Sequence, residues 1–303
     1  MEEPIEVHSD NGVIRSTIWN CDGIRLGHAV SRFTGDHPTS LPQRPPGPGP
    51  DVVRLHFGLK GNYSFTYRQL GRTFDLIGGH HNLMYSREFN IDVAPHSPEL
   101  ETFGVQFPRE RFIQFTAGAS DALQRFAQCI LEGKSVLFSE HWGAVDPAIE
   151  QVIRQITHCA YGGDLKRLFL LSKSIELLVL SADACSAAPE PTFLKTKSDK
   201  ERIIAARDMV NERVDDPPNL SEVARAVGLN ECKLKRGFKE TFRTTVFGYL
   251  SEQRLQLALQ HLRDTDKTAA EISAELGYAS PQHFNNAFKK KFGRTPQSVR
   301  NNP

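Results

Sequence analysis

Long hydrophobic runs are missing from this chain. The longest apolar stretches, such as Leu177 to Leu180, are a few residues long, which excludes a helix that spans a bilayer. Cysteine is scarce, and Cys21, Cys129, Cys159, Cys185 and Cys232 are widely spaced, odd in number and free of any C-x-x-C pair. That pattern excludes a zinc ribbon and a disulfide scaffold, and it points to reduced thiols in a cytoplasmic setting. Met1-Glu2-Glu3-Pro4 has neither the basic segment nor the apolar core of a secretory signal. G-x-S-x-G, P-loop and G-x-G-x-x-G motifs are absent, and the scattered Cys and His residues form no nucleophile pair. The expectation is therefore no catalytic residue and no cofactor.

What is present fits a soluble two-domain protein: 303 residues, 39% hydrophobic and 24% charged. The overall charge of +1 hides an asymmetry, because residues 195–303 carry 20 Lys+Arg against 14 Asp+Glu, a net of +6. The remainder carries 17 against 22, a net of −5. A basic C-terminal third on an acidic body points to a nucleic-acid partner for that third alone.

Residues 1–107 read as β-rich. Val52 to Leu59, Tyr63 to Tyr67, Leu83 to Tyr85 and Thr102 to Phe107 carry strand patterns separated by turn residues. Gly35 to Pro50 holds six prolines and reads as an extended loop. From Pro108 the period turns helical: Leu123, Phe126, Ala127 and Ile130 share a face, as do Ile149, Val152, Ile153 and Ile156. A third stripe runs Leu165, Leu168, Leu171, Ile175, Leu178, Val179, Ala182. Phe169, Leu170, Leu177 and Leu180 lie off it, so region 108–186 is expected to pack on its own domain and on a second copy, giving a homodimer. The small, prolyl segment Ala187 to Thr192 reads as a linker.

Within residues 195–303 the chain repeats itself. Glu222 to Leu229 (EVARAVGL) recurs as Glu271 to Tyr278 (EISAELGY), 49 residues on, and Phe238-Lys-Glu-Thr-Phe242 recurs as Phe288-Lys-Lys-Lys-Phe292, 50 residues on. Each copy has helix-turn-helix mechanics. Asn219 with Glu222, and Thr268 with Glu271, stand at capping-box spacing. Gly228 and Gly277 suit a turn with positive φ. Leu234, Phe238 and Phe242, or Phe284, Phe288 and Phe292, then form an apolar stripe on the second helix, opposite Lys233, Lys235, Arg236 and Lys239, or Gln282, Asn285, Asn286 and Lys289. Val246 to Arg263 reads as a connecting helix of about 27 Å, a rod that can hold two recognition helices about one DNA turn, near 34 Å, apart.

Gly277-Tyr278-Ala279-Ser280-Pro281-Gln282-His283-Phe284, followed by Phe288 to Pro296 and Arg300, resembles the C-terminal signature of the AraC/XylS family of transcription regulators. Two departures stand out: Arg243 where glycine is usual, and Ser273 where alanine is usual. The resemblance places Cys232, Lys233, Lys235, Arg236 and Lys239 in copy one among the DNA-binding positions. Ser280, Pro281, Gln282, Asn285, Asn286 and Lys289 take the same place in copy two. Of these, Lys235 and Arg236 suit guanine, the three amides suit adenine, and Lys233 and Lys239 suit phosphate. Gly78 to Tyr85 and Leu165 to Leu178 resemble segments of the pyochelin- and yersiniabactin-responsive subgroup.

The implied fold is α+β: a cupin-like β-barrel, a helical dimerisation segment, and an all-α domain of two helix-turn-helix units joined by a long helix. The implied function is an effector-responsive activator in the cytoplasm, with a siderophore-like small molecule, double-stranded promoter DNA and RNA polymerase as partners and no membrane. A repressor, or a response to another small molecule, is the rival within the class. Outside it stands a cupin-like metal-dependent enzyme fused to a DNA-binding tail. His80, His81, Glu88 and His96 would be its ligand candidates, but adjacent His80 and His81 must point to opposite sides of a strand, so no metal site is assigned.

Overall fold

The computed structural model describes residues 2–9, 12–34, 51–88, 91–186, 194 and 196–301. The expected proline-rich loop and the expected linker lie outside the described residues. The chain separates into two compact units, Met1–Glu190 and Pro191–Pro303. No described helix is long and apolar enough to cross a membrane.

The first unit is built on two antiparallel sheets. Its first strands are β1 (Glu2–Ser9), β2 (Gly12–Cys21), β3 (Ile24–Phe33), β4 (Val52–Lys60), β5 (Asn62–Tyr67) and β6 (Arg72–Ile77). They are followed by β7 (His80–Tyr85), β8 (Ile91–Pro95), β9 (Glu99–Pro108), β10 (Val136–Leu137) and β11 (Gly143–Ala144). The large sheet has the order β1-β2-β3-β9-β4-β7-β10, with β11 also beside β7, and the small one the order β6-β5-β8. Among the described residues the ladders form two separate sheets and close no ring, so the expected barrel draws no support from them.

The two faces of the large sheet follow from strand alternation. Leu26, Val53, Leu55, Phe57, Leu83, Phe103 and Val105 point to one side and join a core with the helices. Those helices are α1 (Arg109–Thr116), α2 (Asp121–Leu131), α3 (Pro147–Thr157) and α4 (Gly163–Ser186). On the other side Met84 and Leu100 join Tyr63, Phe65, Tyr67 and Leu76 beneath the small sheet. The β2–β3 hairpin turns on Asp22 and Gly23, with φ of 49° and 81°, a two-residue turn whose twist suits the flanking strands. Arg167 of α4 donates to both carboxylate oxygens of Asp22, at 2.9 and 2.7 Å, tying this helix to that turn.

The expected stripe on α4 divides differently. Leu170, Leu177, Leu178 and Ala182 are buried on the sheet, with Ser174 and Ser181 between them. Leu165, Leu168 and Val179 are 65%, 51% and 60% exposed. Leu178 and Val179 therefore belong to opposite surfaces, because 100° per residue separates neighbours on a helix.

The second unit is all helical: α5 (Lys197–Glu212), α6 (Leu220–Ala226), α7 (Glu231–Phe242), α8 (Val246–Asp264), α9 (Ala269–Glu275), α10 (Pro281–Phe292) and α11 (Pro296–Asn301). Helix α8 serves two cores. Its N-terminal half places Tyr249 against the rings of Phe238 and Phe242. Its C-terminal half places Leu255, Ala258 and Leu262 with Ile272, Leu276, Phe284 and Phe288.

Candidate nucleic-acid interface

Each repeat presents its second helix by the same local chemistry. Asn219 and Thr268 close complete capping boxes with Glu222 and Glu271, so α6 and α9 start where their sequences dictate. Both helices stop in a Schellman turn. Leu229 N–H donates to the Ala224 carbonyl at 2.8 Å, and Tyr278 N–H to that of Ser273 at 3.0 Å. Gly228 and Gly277 both stand at φ +68° between those bonds, where a Cβ is unfavourable. New caps then launch the exposed helices: Asn230 accepts from Lys233 N–H, and Ser280 from His283 N–H.

Helices α7 and α10 bury corresponding stripes, Leu234, Phe238 and Phe242 in one and Phe284 and Phe288 in the other. Packing fixes their rotation, so the residues opposite must face outward. Cys232, Lys235, Arg236 and Lys239 are exposed on α7, and Pro281, Gln282, Asn286 and Lys289 on α10, with Asn285 half-buried. Cys232, Arg236 and Lys239 match Gln282, Asn286 and Lys289 at an offset of 50.

Several of these residues are engaged within the protein, Gln282 Nε2 donating to Asn286 Oδ1 at 3.4 Å among them. Lys233 Nζ lies 2.6 Å from the Asp199 carboxylate of α5, which holds that acid below its ordinary range. Ser280 spends its hydroxyl on the α10 cap. Lys235 Nζ lies 3.6 Å from Glu231 one turn earlier, a solvent-exposed pair of little strength.

The repeat is larger than its sequence match. Thr196 caps α5 and Thr245 caps α8, 49 residues apart, so each unit has three helices. The C-cap of α7 is Arg243, in the left-handed region at φ 57°, where α10 has Gly293 at φ 70°. Thr295 Oγ1 accepts from Ser298 N–H at the start of α11, as Thr245 Oγ1 does from Gly248 N–H at the start of α8. The first turn of α8 thus closes the first helical repeat as α11 closes the second. Sequence comparison missed this because α5 and α8 share few residue identities.

Other titratable clusters lie in the first unit. His80 contacts the Tyr63 hydroxyl at 2.9 Å on the small-sheet side, while His81 lies 3.8 Å from Cys185 Sγ on the helix side. His96 is 2.6 Å from Ser64 Oγ in an exposed contact. Among the described residues no three His, Cys, Asp or Glu side chains gather as metal ligands.

Comparison with known proteins separates the chain along similar lines. Residues 43–195 match the family model of the regulatory protein PchR N-terminal domain, and residues 223–302 match a helix-turn-helix domain. Regulatory protein PchR of Pseudomonas aeruginosa is 39% identical over 121 residues, an alignment that covers 39% of this chain and 41% of that protein. Regulatory protein SoxS of Escherichia coli is 35% identical over 91 residues, 30% of this chain and 85% of that one. Among solved structures, an AraC-type regulator from Chromobacterium violaceum is 26% identical, covering 35% of this chain and 95% of that one, with a TM-score of 0.33.

Proposed function

Because the chain belongs to the AraC-type regulators with a PchR-type N-terminal domain, we propose that it reads promoter DNA with two helix-turn-helix units in adjacent major grooves. DNA-binding transcription regulation is the activity of the family. The finer reading is an effector-responsive activator, acting as a homodimer and engaging RNA polymerase. The observation that carries the two-groove reading is the repeated outward stripe. Positions 232, 236 and 239 of α7 and 282, 286 and 289 of α10 recur at one offset, on helices locked by buried aromatic residues.

Within that reading Arg236 suits guanine N7 and O6, and Gln282 with Asn286 suits adenine. Lys239 and Lys289, at the far end of the stripe, suit phosphate. Lys233 acts indirectly, since its bond to Asp199 fixes α7 on α5.

Selection from randomised duplexes with wild type, Arg236→Ala and Gln282→Ala tests this. Each variant is expected to lose about 1–3 kcal/mol of discrimination, at base pairs about ten apart. Lys239→Ala weakens all sequences alike and lowers the salt slope by about one. Loss of preference at the same base pairs by both specificity variants overturns the two-groove arrangement.

The homodimer reading is supported by Leu165, Leu168 and Val179, exposed along one helix at positions three to four residues apart or multiples of a turn. The enzyme reading draws no support from the described side chains.

A further inference from the structure

Helix α7 carries a glycine in its buried middle. Gly237 has no positive φ, so the backbone does not demand it, and glycine weakens a helix interior more than any residue but proline. Its counterpart 50 residues on is Ala287. The difference has a steric cause. A Cβ on Gly237 would stand 2.8 Å from Leu194 Cδ2 and 2.8 Å from Ile203 Cδ1. Ile203 belongs to α5 and is fully buried, while Leu194 lies two residues past the expected linker and is 3% exposed.

Leu194 is held at this place by its backbone as well. Its N–H donates to Glu240 Oε1, three residues after Gly237, at 3.0 Å. Thr196 then caps α5 by accepting from Asp199 N–H, and the Asp199 carboxylate grips Lys233 Nζ at 2.6 Å. Lys233, Gly237 and Glu240 are spaced i, i+4 and i+7, so a single seam of α7 receives the entering chain and α5. Each follows directly on a member of the outward stripe, Cys232, Arg236 or Lys239. With about 100° between neighbours, the seam runs beside the stripe, and any turn of the helix in the seam turns the stripe by the same angle.

The second repeat is built without this contact. Counted from the caps Thr196 and Thr245, the place of Leu194 is taken by exposed Arg243, and that of Glu240 by exposed Lys290. A lysine ammonium cannot accept the backbone N–H that a carboxylate accepts. Ala287 supplies the Cβ that Gly237 lacks. All three partners of the contact thus differ between repeats whose outward stripes correspond.

We propose that Leu194 is a positioning residue for base reading by α7. Its side chain, seated on Gly237, sets the rotation that aims Arg236, and the bond from its N–H to Glu240 keeps it seated. The chain just past the linker is then part of the first recognition helix's mounting, and α10 is aimed without an equivalent. Disturbing Leu194 alters reading of the first half-site and leaves the second intact. The division into half-sites rests on the two-groove reading above; the seating of α7 does not.

The test is selection from randomised duplexes with the full chain, joined to amide hydrogen exchange without DNA. Leu194→Ala is expected to lose about tenfold in preference at the base pairs that Arg236→Ala affects, and nothing at those of Gln282→Ala. Its affinity for non-specific duplex, carried by phosphate contacts, stays within about twofold, which an unfolded repeat would not allow. Leu194→Met keeps the volume and the preference. Exchange in the Ala variant quickens about tenfold in α7 and is unchanged in α10. Should Leu194→Ala fail to fold by circular dichroism, Glu240→Leu, which removes the acceptor and opens no cavity, is expected to show a smaller loss at the same base pairs. Equal losses at both half-sites, or unaltered preference in a folded variant, overturn the proposal. If Arg236→Ala and Gln282→Ala do not separate in the same selection, the two-groove reading fails. Exchange then decides alone: quickened exchange in α7 upholds the seating, and unchanged exchange overturns it.

Discussion

Arg254 and Gly277 face each other across the second helical unit, the Arg254 Nη1 donating to the Gly277 carbonyl at 3.0 Å. The same guanidinium donates to the carbonyls of Val214 at 2.8 Å and Asp215 at 3.2 Å. One side chain thereby ties the segment that enters α6 to the turn that enters α10. In the first helical repeat Arg202 Nη1 donates to the Gly228 carbonyl, also at 3.0 Å. Each presenting turn is thus held by an arginine from the first helix of its own repeat, and Arg254 reaches across to the other repeat as well.

The two turn glycines are unequal for this reason. A Cβ on Gly277 would stand 2.0 Å from the Asp215 carbonyl oxygen, whereas one on Gly228 would meet Arg202 at 3.8 Å. Gly228→Ala is expected to cost about 1 kcal/mol, the penalty of a left-handed alanine. Gly277→Ala adds a backbone clash and is expected to cost roughly 3 kcal/mol. Thermal unfolding of both variants checks the order, and equal losses would refute it.

Removing the tie at Arg254 alters geometry more than affinity for a single site. Arg254→Met keeps the buried stem and leaves three carbonyls without their donor. Binding to one half-site is expected to persist while the preference for a fixed half-site separation weakens by about tenfold, or roughly 1.4 kcal/mol. Competition between duplexes whose half-sites are moved by one or two base pairs measures this.

Both departures from the family pattern are places of local cost. Arg243 holds a left-handed C-cap, and buried Ser273 leaves its hydroxyl without a partner. Arg243→Gly is expected to gain about 1 kcal/mol and Ser273→Ala about 1–2 kcal/mol. Urea midpoints should rise for each, without loss of duplex binding.

On α4 adjacent substitutions should diverge. Val179→Glu and Leu168→Glu place a charge in solvent and are expected to leave a folded monomer. Leu178→Glu places one in the core, at 4% exposure, and is expected to unfold the first unit at a cost of several kcal/mol. Sedimentation with circular dichroism separates the outcomes, and a folded dimer from Val179→Glu would move the interface elsewhere.

Acid should act on the first unit before the carboxylates titrate. Burial lowers both His56 and His81 from 6.5 to about 4, so the folded state holds them neutral. Their contribution is complete above about pH 6.5 and is lost as pH falls towards 4, by up to about 1.4 kcal/mol per unit for each histidine. The chain's two tryptophans, Trp19 and Trp142, both lie in the first unit, so denaturation followed by their emission reads it selectively. His56→Gln and His81→Gln should each flatten the dependence between pH 6.5 and 4.

How far these sites could be read in advance depended on whether their cause was local. Capping boxes and turn glycines involve residues a few positions apart, and each stands where the sequence pattern puts it. The strand at Tyr63 to Tyr67 showed itself by alternation. By contrast β1, β6, β8 and the short β10 and β11 carried no sufficient pattern, because pairing with distant strands defines them. Asp22-Gly23 was a usable hairpin signal that the strand pattern around it obscured.

By itself, then, the sequence determined the tandem helical units, their exposed stripes and the family, since a 49- to 50-residue repeat with matched caps and apolar spacing admits few other folds. It also required His80 and His81 to oppose each other, by the pleat alone. Tertiary structure decided which α4 residues are covered, because a helix rich in apolar residues on several sides does not state which side meets the sheet. It decided that Lys233 is held by Asp199, and that Gly27 and Gly104 share a row with His56. Those relationships join positions 29 to 77 residues apart, and only the register of strands and the docking of helices bring such residues together.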